Sequence, residues 1–260
     1  MKKILFLSLL ILPFTGCKTN NSEWKKLILN NSLEGWHIFQ DDGTKSGWTV
    51  ENDVFIFDAK MSSENMLVSD ASLLSNKKYL SFEIKFDWKI EKGGNSGFMW
   101  GVSEDDKYKF PYQTGPEIQI LDTKTYSNPK SILGGEIESN NIIEDLGKKK
   151  KFLGAVYGIY APQKPYDGNP PGQWNSFHIT IDHQNNKGKV ILNGVLINDF
   201  KLKGKEWDSL VNKSKFSQSQ DYEYLGKERW YGFAKSPKGF ICLQDHPGKA
   251  YFKNIRIKEL

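Results

Sequence analysis

Residues 79–90, YLSFEIKFDWKI, put Phe82, Ile84, Phe86, Trp88 and Ile90 at every second position, with Ser81, Glu83, Lys85, Asp87 and Lys89 between them. Side chains of an extended chain alternate between two faces, so this run specifies a strand with one face in a core and the other in water. The same period recurs in WTVENDVFIF (48–57), TGPEIQILD (114–122), FHITIDHQ (177–184), GKVILNGVLIND (188–199), GFICLQDH (239–246) and AYFKNIRIKEL (250–260). Gly, Asn, Asp and Pro bound several of them, and Asn193-Gly194 is a hairpin turn pair. Helical spacing is confined to KEWDSLVNKSKF (205–216), where Trp207, Leu210 and Val211 share a face. One short helix in a field of strands predicts an all-β sandwich or jelly roll of two antiparallel sheets, with the stretch 123–152 as a long loop or insertion. No internal repeat or linker divides residues 25–260, which read as one domain.

The first residues have a different character. MKKILFLSLLILPFTGC carries two lysines, an apolar run from Ile4 to Pro13, and the small residues Thr15 and Gly16 before Cys17. That is the layout of a lipoprotein signal, which predicts removal of residues 1–16, lipid on Cys17 and a polar tether over 18–24. The apolar run is short for a membrane-spanning helix. Cys242 is then the only other cysteine, so no intramolecular disulfide is expected, and its place in GFICL marks a small core residue.

Lys and Arg number 36 against 31 Asp and Glu, a formal net charge of +5. An excess so small and dispersed excludes nucleic acid as the expected partner. The basic cluster Lys148–Lys151 beside ESNNIIEDLG reads as a solvated loop tip. No phosphate-binding glycine loop and no Cys/His zinc spacing is present, and GGNSG lacks the G-x-S-x-G spacing of a nucleophile elbow. A divalent cation held by Asp105, Asp106 or Asp122 stays open.

The polar faces of the strands are where chemistry is expected. Glu117 and Gln119 share a face, with Asp122 just past the strand end; in GFICLQDH, Gln244 and His246 lie opposite Ile241 and Leu243. GGNSGF (93–98) reads as a glycine-rich turn that offers Asn95 to a ligand. Tyr157 and Trp174 supply aromatic faces, Trp174 as a stacking platform or as a buried core residue. Asp122 and Asp245 suit either a turn cap or a direct role. Carboxylate, imidazole, amide and aromatic groups together are what a sugar-binding surface needs.

The segments FEIKFDWKIEKGGNSGFMWGVSE, YQTGPEIQILD, GAVYGIYAP, GQWNSFHI, SKF and ICLQDHPGKAYFKNIRIKEL resemble, in order, the successive motifs of the DUF1080 family, also called the 3-keto-disaccharide hydrolase domain. The resemblance implies a concanavalin-like, lectin-like jelly-roll sandwich, export as a secreted protein or lipoprotein, and action on 3-keto-glycosides. Some members are similar to lyase/hydratases that cleave a 3-keto-glucoside by elimination. The chain departs from the family pattern at Gln173, where GEWN is expected, at Pro247 after QDH, and at Met99–Gly101, where many members have an Arg.

A carbonyl at C3 acidifies the C2 proton, so one base, one acid and donors for the enolate oxygen suffice. Glu117 or His246 is the candidate base, and the other, or Asp122, the candidate acid. Asn95 with Gln119 or Gln244 offers amide donors, and Tyr157, Trp174 and Asp245 complete the expected substrate-binding set. Such chemistry implies a functional partnership with a sugar 3-dehydrogenase that makes the keto substrate. Two alternatives use the same fold: a carbohydrate-binding lectin without catalysis, and a conventional jelly-roll glycosidase with paired carboxylates.

Overall fold

The computed structural model describes residues 23–41, 46–61, 71–126, 149–218 and 230–260. Cys17, the signal segment and Lys148 therefore lie outside the described residues. The strands are β1 (Lys25–Lys26), β2 (Trp36–Ile38), β3 (Trp48–Glu51), β4 (Val54–Asp58), β5 (Leu73–Tyr79), β6 (Phe82–Ile90), β7 (Asn95–Val102), β8 (Glu117–Leu121), β9 (Asn175–Asp182), β10 (Lys187–Leu192), β11 (Val195–Phe200), β12 (Gly239–Leu243) and β13 (Lys249–Glu259). They form two antiparallel sheets. The larger runs β11-β10-β9-β6-β13-β4-β3, with β1 also paired to β13; the smaller runs β2-β5-β12-β7-β8. This is the all-β jelly-roll sandwich that the alternation predicts.

The core fills the space between the sheets. Phe82, Ile84, Phe86, Trp88 and Ile90 of β6 point inward beside Phe177, Ile179, Phe252 and Ile257, all buried. From the smaller sheet come Phe98, Ile118, Ile120, Ile241 and Leu243. Phe86 and Phe98 meet across the gap with ring centroids 5.6 Å apart. Truncating Phe86 to Ala would open a cavity that costs about 3–5 kcal/mol.

Four sequence expectations are corrected. WTVENDVFIF is not one strand but the hairpin β3–β4, because Asn52 and Asp53 both take positive φ, 52° and 58°, the geometry of a tight two-residue turn. Tyr79 ends β5, and the strand read from 79 begins at Phe82. GGNSGF is only half a turn: Asn95 already belongs to β7, which fixes the direction of its side chain. The helix read over 205–216 is α2 (Lys205–Asn212), ending before Lys213, and a four-residue α1 (Thr123–Tyr126) opens the region read as a loop.

Candidate functional site

The outer face of the five-stranded sheet is built by β8, β7 and β12. Across the β7–β8 ladder Glu117 faces Met99, Gln119 faces Gly97 and Leu121 faces Asn95, while Cys242 of β12 flanks Met99 on the other side. The backbone N–H of Gln244 donates to the Gly97 carbonyl at 2.9 Å. Because Ile118, Ile120, Phe98, Ile241 and Leu243 take the inner face, period two delivers Glu117, Gln119, Asn95, Gln244 and His246 together to the outer one. Phe39, Leu74, Met99, Val102 and Cys242 form a second, smaller apolar cluster on that face. Gly97 makes a hollow in it: a Cβ there would stand 2.2 Å from Oε1 of Glu117, so the carboxyl lies in the space a side chain would occupy.

Glu117 is half-buried by accessible surface, yet its carboxyl is crowded by Gly97 and by the chain around it. Burial pushes its pKa up to about 7, and Lys215 pulls only partly against that. Among the described residues its carboxylate accepts no hydrogen bond, and Lys215 attracts it without a contact ion pair. Lys215 lies just beyond α2, its ammonium 4.4 Å from the Tyr157 ring centroid and 5.1 Å from that of Phe216. Burial holds the Lys215 ammonium below its usual range, although Glu117 favours its charge. Tyr157 is placed by its N–H, which donates to the Glu117 carbonyl at 2.9 Å; the strip 154–157 runs along β8 like an added strand.

A directed chain of hydrogen bonds fills the neighbouring row. Gln119 Nε2 donates to Asn95 Oδ1 at 2.7 Å, and Asn95 Nδ2 meets His246 Nε2 at 3.1 Å. With its oxygen taken, Asn95 donates, so Nε2 of His246 accepts and a neutral ring carries its proton on Nδ1. That Nδ1 is buried and has no partner with hydrogen-bond geometry. Burial lowers the His246 pKa, partly offset by the nearby Pro247 backbone.

The remaining expected residues divide by surroundings. Gln244 is buried in the same face, its side-chain amide unbonded among the described residues. Asp122 is engaged at both oxygens: Oδ2 accepts from Gly93 N–H at 2.9 Å and Thr125 Oγ1 at 2.5 Å, and Oδ1 from Lys124 N–H at 3.1 Å. Burial opposes ionisation there, but those donors hold its pKa below the usual carboxylate value. Asp245 accepts from Ala71 N–H at 3.0 Å and Ser72 Oγ at 2.6 Å, which ties β12 to the start of β5. Trp174 stands apart, on the outer face of the other sheet, with Lys253 and Lys89 ammoniums 4.0 and 5.0 Å from its ring centroid. Among the described residues no three His, Cys, Asp or Glu side chains are grouped to hold a metal ion.

Lys215 and Gly97 are the parts that strand alternation does not single out. Gly97 stands in the sequence as one glycine of GGNSGF, which does not tell that the Glu117 carboxyl lies over it. The motif SKF contains Lys215, but the helix read over 205–216 ends at Asn212, so helical spacing does not say what Lys215 faces.

A family model described as the 3-keto-alpha-glucoside-1,2-lyase-like domain matches residues 23–258. The 3-keto-disaccharide hydrolase of Bacteroides thetaiotaomicron is 28% identical over 245 residues, covering 88% of this chain and 76% of that protein. A crystal structure from Parabacteroides distasonis, assigned as a glycosyl hydrolase, superposes with a TM-score of 0.70 at 30% identity, over 91% of this chain and 94% of the other. A second crystal structure from that organism, with the same assignment, gives 0.59 at 24% identity over 92% and 100%.

Proposed function

Because the chain belongs to the 3-keto-alpha-glucoside-1,2-lyase-like family, a family of carbohydrate-active enzymes, we propose that its outer-face cluster cleaves 3-keto-glycosides with Glu117 as the base. The observation that carries this reading is a half-buried carboxyl crowded against Gly97, with no hydrogen bond of its own among the described residues and a pKa that burial pushes up to about 7. Such a group is ionised enough near neutrality to take a proton and acidic enough, once protonated, to give it back.

The Glu117 carboxylate takes the C2 proton, and the C–H electron pair forms C2=C3 as the C3 carbonyl becomes an enolate. Lys215 supplies the opposing positive charge, and the Gln244 amide offers a donor on the same face. The enolate then reforms C3=O, its electrons form C1=C2, and the C1–O bond breaks with its pair on the departing oxygen. C1 and C2 are adjacent, so the proton now on Glu117 passes to that oxygen. Water adds across C1=C2, hydroxyl to C1 and proton to C2, which completes a net hydrolysis. Asn95, held between Gln119 and His246, positions the sugar. His246 then serves the amide row more than the proton transfer, since its Nε2 already accepts from Asn95 and burial lowers its pKa. The engagement of Asp122 argues against its pairing with Glu117 in a two-carboxylate scheme.

The same reading includes export, lipid on Cys17, a tether over 18–24 and a sugar 3-dehydrogenase upstream. Replacing Cys17 by Ala should move the protein from the membrane to the soluble fraction; retention on the membrane would refute the anchor. For the chemistry, matched glucosides and their 3-keto forms are incubated with the protein. Release of aglycone from the 3-keto member alone is expected. Release from the plain glucoside would favour a conventional hydrolase, and binding without release a lectin.

A further inference from the structure

The alternation that buries one face of β6 and β13 loads the other with positive charge. Lys85, Lys89, Lys249, Lys253, Arg256 and Lys258 point outward there, against Glu83 and Asp87. Those acids are engaged: Glu83 holds His178 at 2.6 Å and Lys258 at 3.1 Å, and Asp87 accepts from Asn254 Nδ2 at 2.6 Å. Asp58 of the adjoining β4 takes Lys249 at 2.9 Å. Lys85, Lys89, Lys253 and Arg256 are in no salt bridge among the described residues. Arg256 and Lys85 stand directly opposite each other in the β6–β13 ladder, a like-charge pair that is unfavourable without a counter-charge. Lys26 of β1, opposite Arg256 on its other side, extends the row.

Aromatic rings are set among these cations. Lys85 and Lys258 lie 4.7 and 5.5 Å from the Trp24 ring centroid, Lys253 and Lys89 lie 4.0 and 5.0 Å from that of Trp174, and Lys89 is 4.2 Å from that of Tyr251. The rings hold the ammoniums in place without cancelling their charge. Trp24, Trp174 and Tyr251 are each half-buried. Half-exposed tryptophan and tyrosine among lysine and arginine suit the headgroup layer of a bilayer, where amphipathic rings are at home and anionic phosphates meet the cations. The described chain also enters the sandwich on this face, at Trp24, and only six residues separate Trp24 from Cys17. Even fully extended, that stretch reaches about 25 Å. A lipid on Cys17 would therefore keep this face, rather than the opposite one, next to the membrane.

We propose that the outer face of the eight-stranded sheet, from Trp24 to Trp174, docks on a bilayer surface that bears anionic phospholipids. The choice of a membrane rests on the reading of Cys17 as lipid-bearing; the new element is which side of the domain meets the bilayer. The Glu117 cluster, on the outer face of the other sheet, then opens away from the membrane toward soluble glycosides. Attraction of this kind fades within a Debye length, about 8 Å at physiological salt. It orients an anchored domain without retaining a free one, so loss of the lipid still releases the protein.

The test uses the mature chain carrying Cys17→Ala, so that no lipid contributes, and its sedimentation with vesicles of phosphatidylcholine alone or mixed with phosphatidylglycerol. At low ionic strength the protein should bind the mixed vesicles and not the neutral ones, and physiological salt should release it. Lys85→Gln with Lys253→Gln should weaken that binding about 25-fold, while unfolding stays cooperative and certifies the fold. Lys107→Gln with Lys109→Gln, which removes the same charge from the loop between β7 and β8, should change it by less than about twofold. Equal losses in the two double variants would trace the binding to net charge and overturn the proposal. So would failure to bind the mixed vesicles at low ionic strength, or binding to dextran sulfate, a soluble polyanionic polysaccharide, in place of the vesicles. A Cys17 found without lipid in cells would refute the anchor alone, because the vesicle result does not depend on it.

Discussion

The two sheets of this sandwich each present a polar outer face, and the faces treat their charges in opposite ways. On the eight-stranded sheet charge is satisfied: Glu83 accepts from His178 at 2.6 Å and Lys258 lies 3.1 Å away, while Lys85 sits 4.7 Å from the Trp24 ring centroid. Burial alone would raise the Glu83 pKa, but His178 and Lys258 hold it below normal. On the five-stranded sheet Glu117 has burial without hydrogen bonds and is pushed up to about 7. A carboxyl left unsatisfied in this way is a candidate for chemistry, so the contrast sets a scaffold face against the face proposed to work.

The largest expected effect is on the working face. Glu117→Gln keeps the shape and removes the base, so kcat/KM on a 3-keto-glycoside should fall about a thousandfold with the fold intact. Near-full activity in that variant would dissolve the contrast. Next comes Gly97→Ala. The new Cβ must displace the Glu117 carboxyl, a flexible chain end, so folding should survive while kcat drops by up to about a hundredfold. An unchanged kcat would mean that the carboxyl's position over Gly97 is irrelevant.

The third prediction uses pH. Activity should rise as Glu117 ionises near pH 7, and stability should move the other way. A carboxyl whose folded pKa exceeds its unfolded value favours the fold most at low pH, and that advantage is lost as pH rises from about 4.5 through 7. Glu117→Gln should therefore be more stable than wild type above pH 7, by on the order of 3 kcal/mol, with the gap closing in acid. Glu83 has the reverse sign: its contribution is present above its unfolded pKa and lost as pH falls through the lower folded one. Denaturant titrations of Glu117→Gln and Glu83→Gln across pH test the pair; parallel curves would break the distinction between the faces.

The smallest effect belongs to the scaffold face. Trp174→Ala should leave kcat/KM within about twofold and cost about 1 kcal/mol through lost contacts with Lys89 and Lys253. A loss of activity like that of Gly97→Ala would put Trp174 in the path of the substrate.

How much of this was legible in the sequence follows from the range of each signal. The alternation over 82–90 is local, so β6 and its inner face were readable. β5 was not, because LLSNKKY buries Leu73, Leu74 and Ser75 in a row and exposes the next three residues. Asn52-Asp53 hid a hairpin inside an apparently continuous run, since the turn depends on φ rather than on hydrophobicity. The same alternation brought Glu117, Gln119, Asn95, Gln244 and His246 to one face. It could not separate Trp174 from them, because which sheet a strand joins is a property of topology. Nor could it find Lys215 beside Glu117, which arises only when the segment after α2 packs over Tyr157 of the strip beside β8.

Elimination followed by hydration is tested most directly by running the reaction on a 3-keto-glucoside in deuterium oxide, with an enzyme-free control for background exchange, and locating deuterium in the sugar product. Removal of the C2 proton and addition of water across C1=C2 predicts one deuterium at C2 for each aglycone released. Release with the original hydrogen retained at C2 would contradict it.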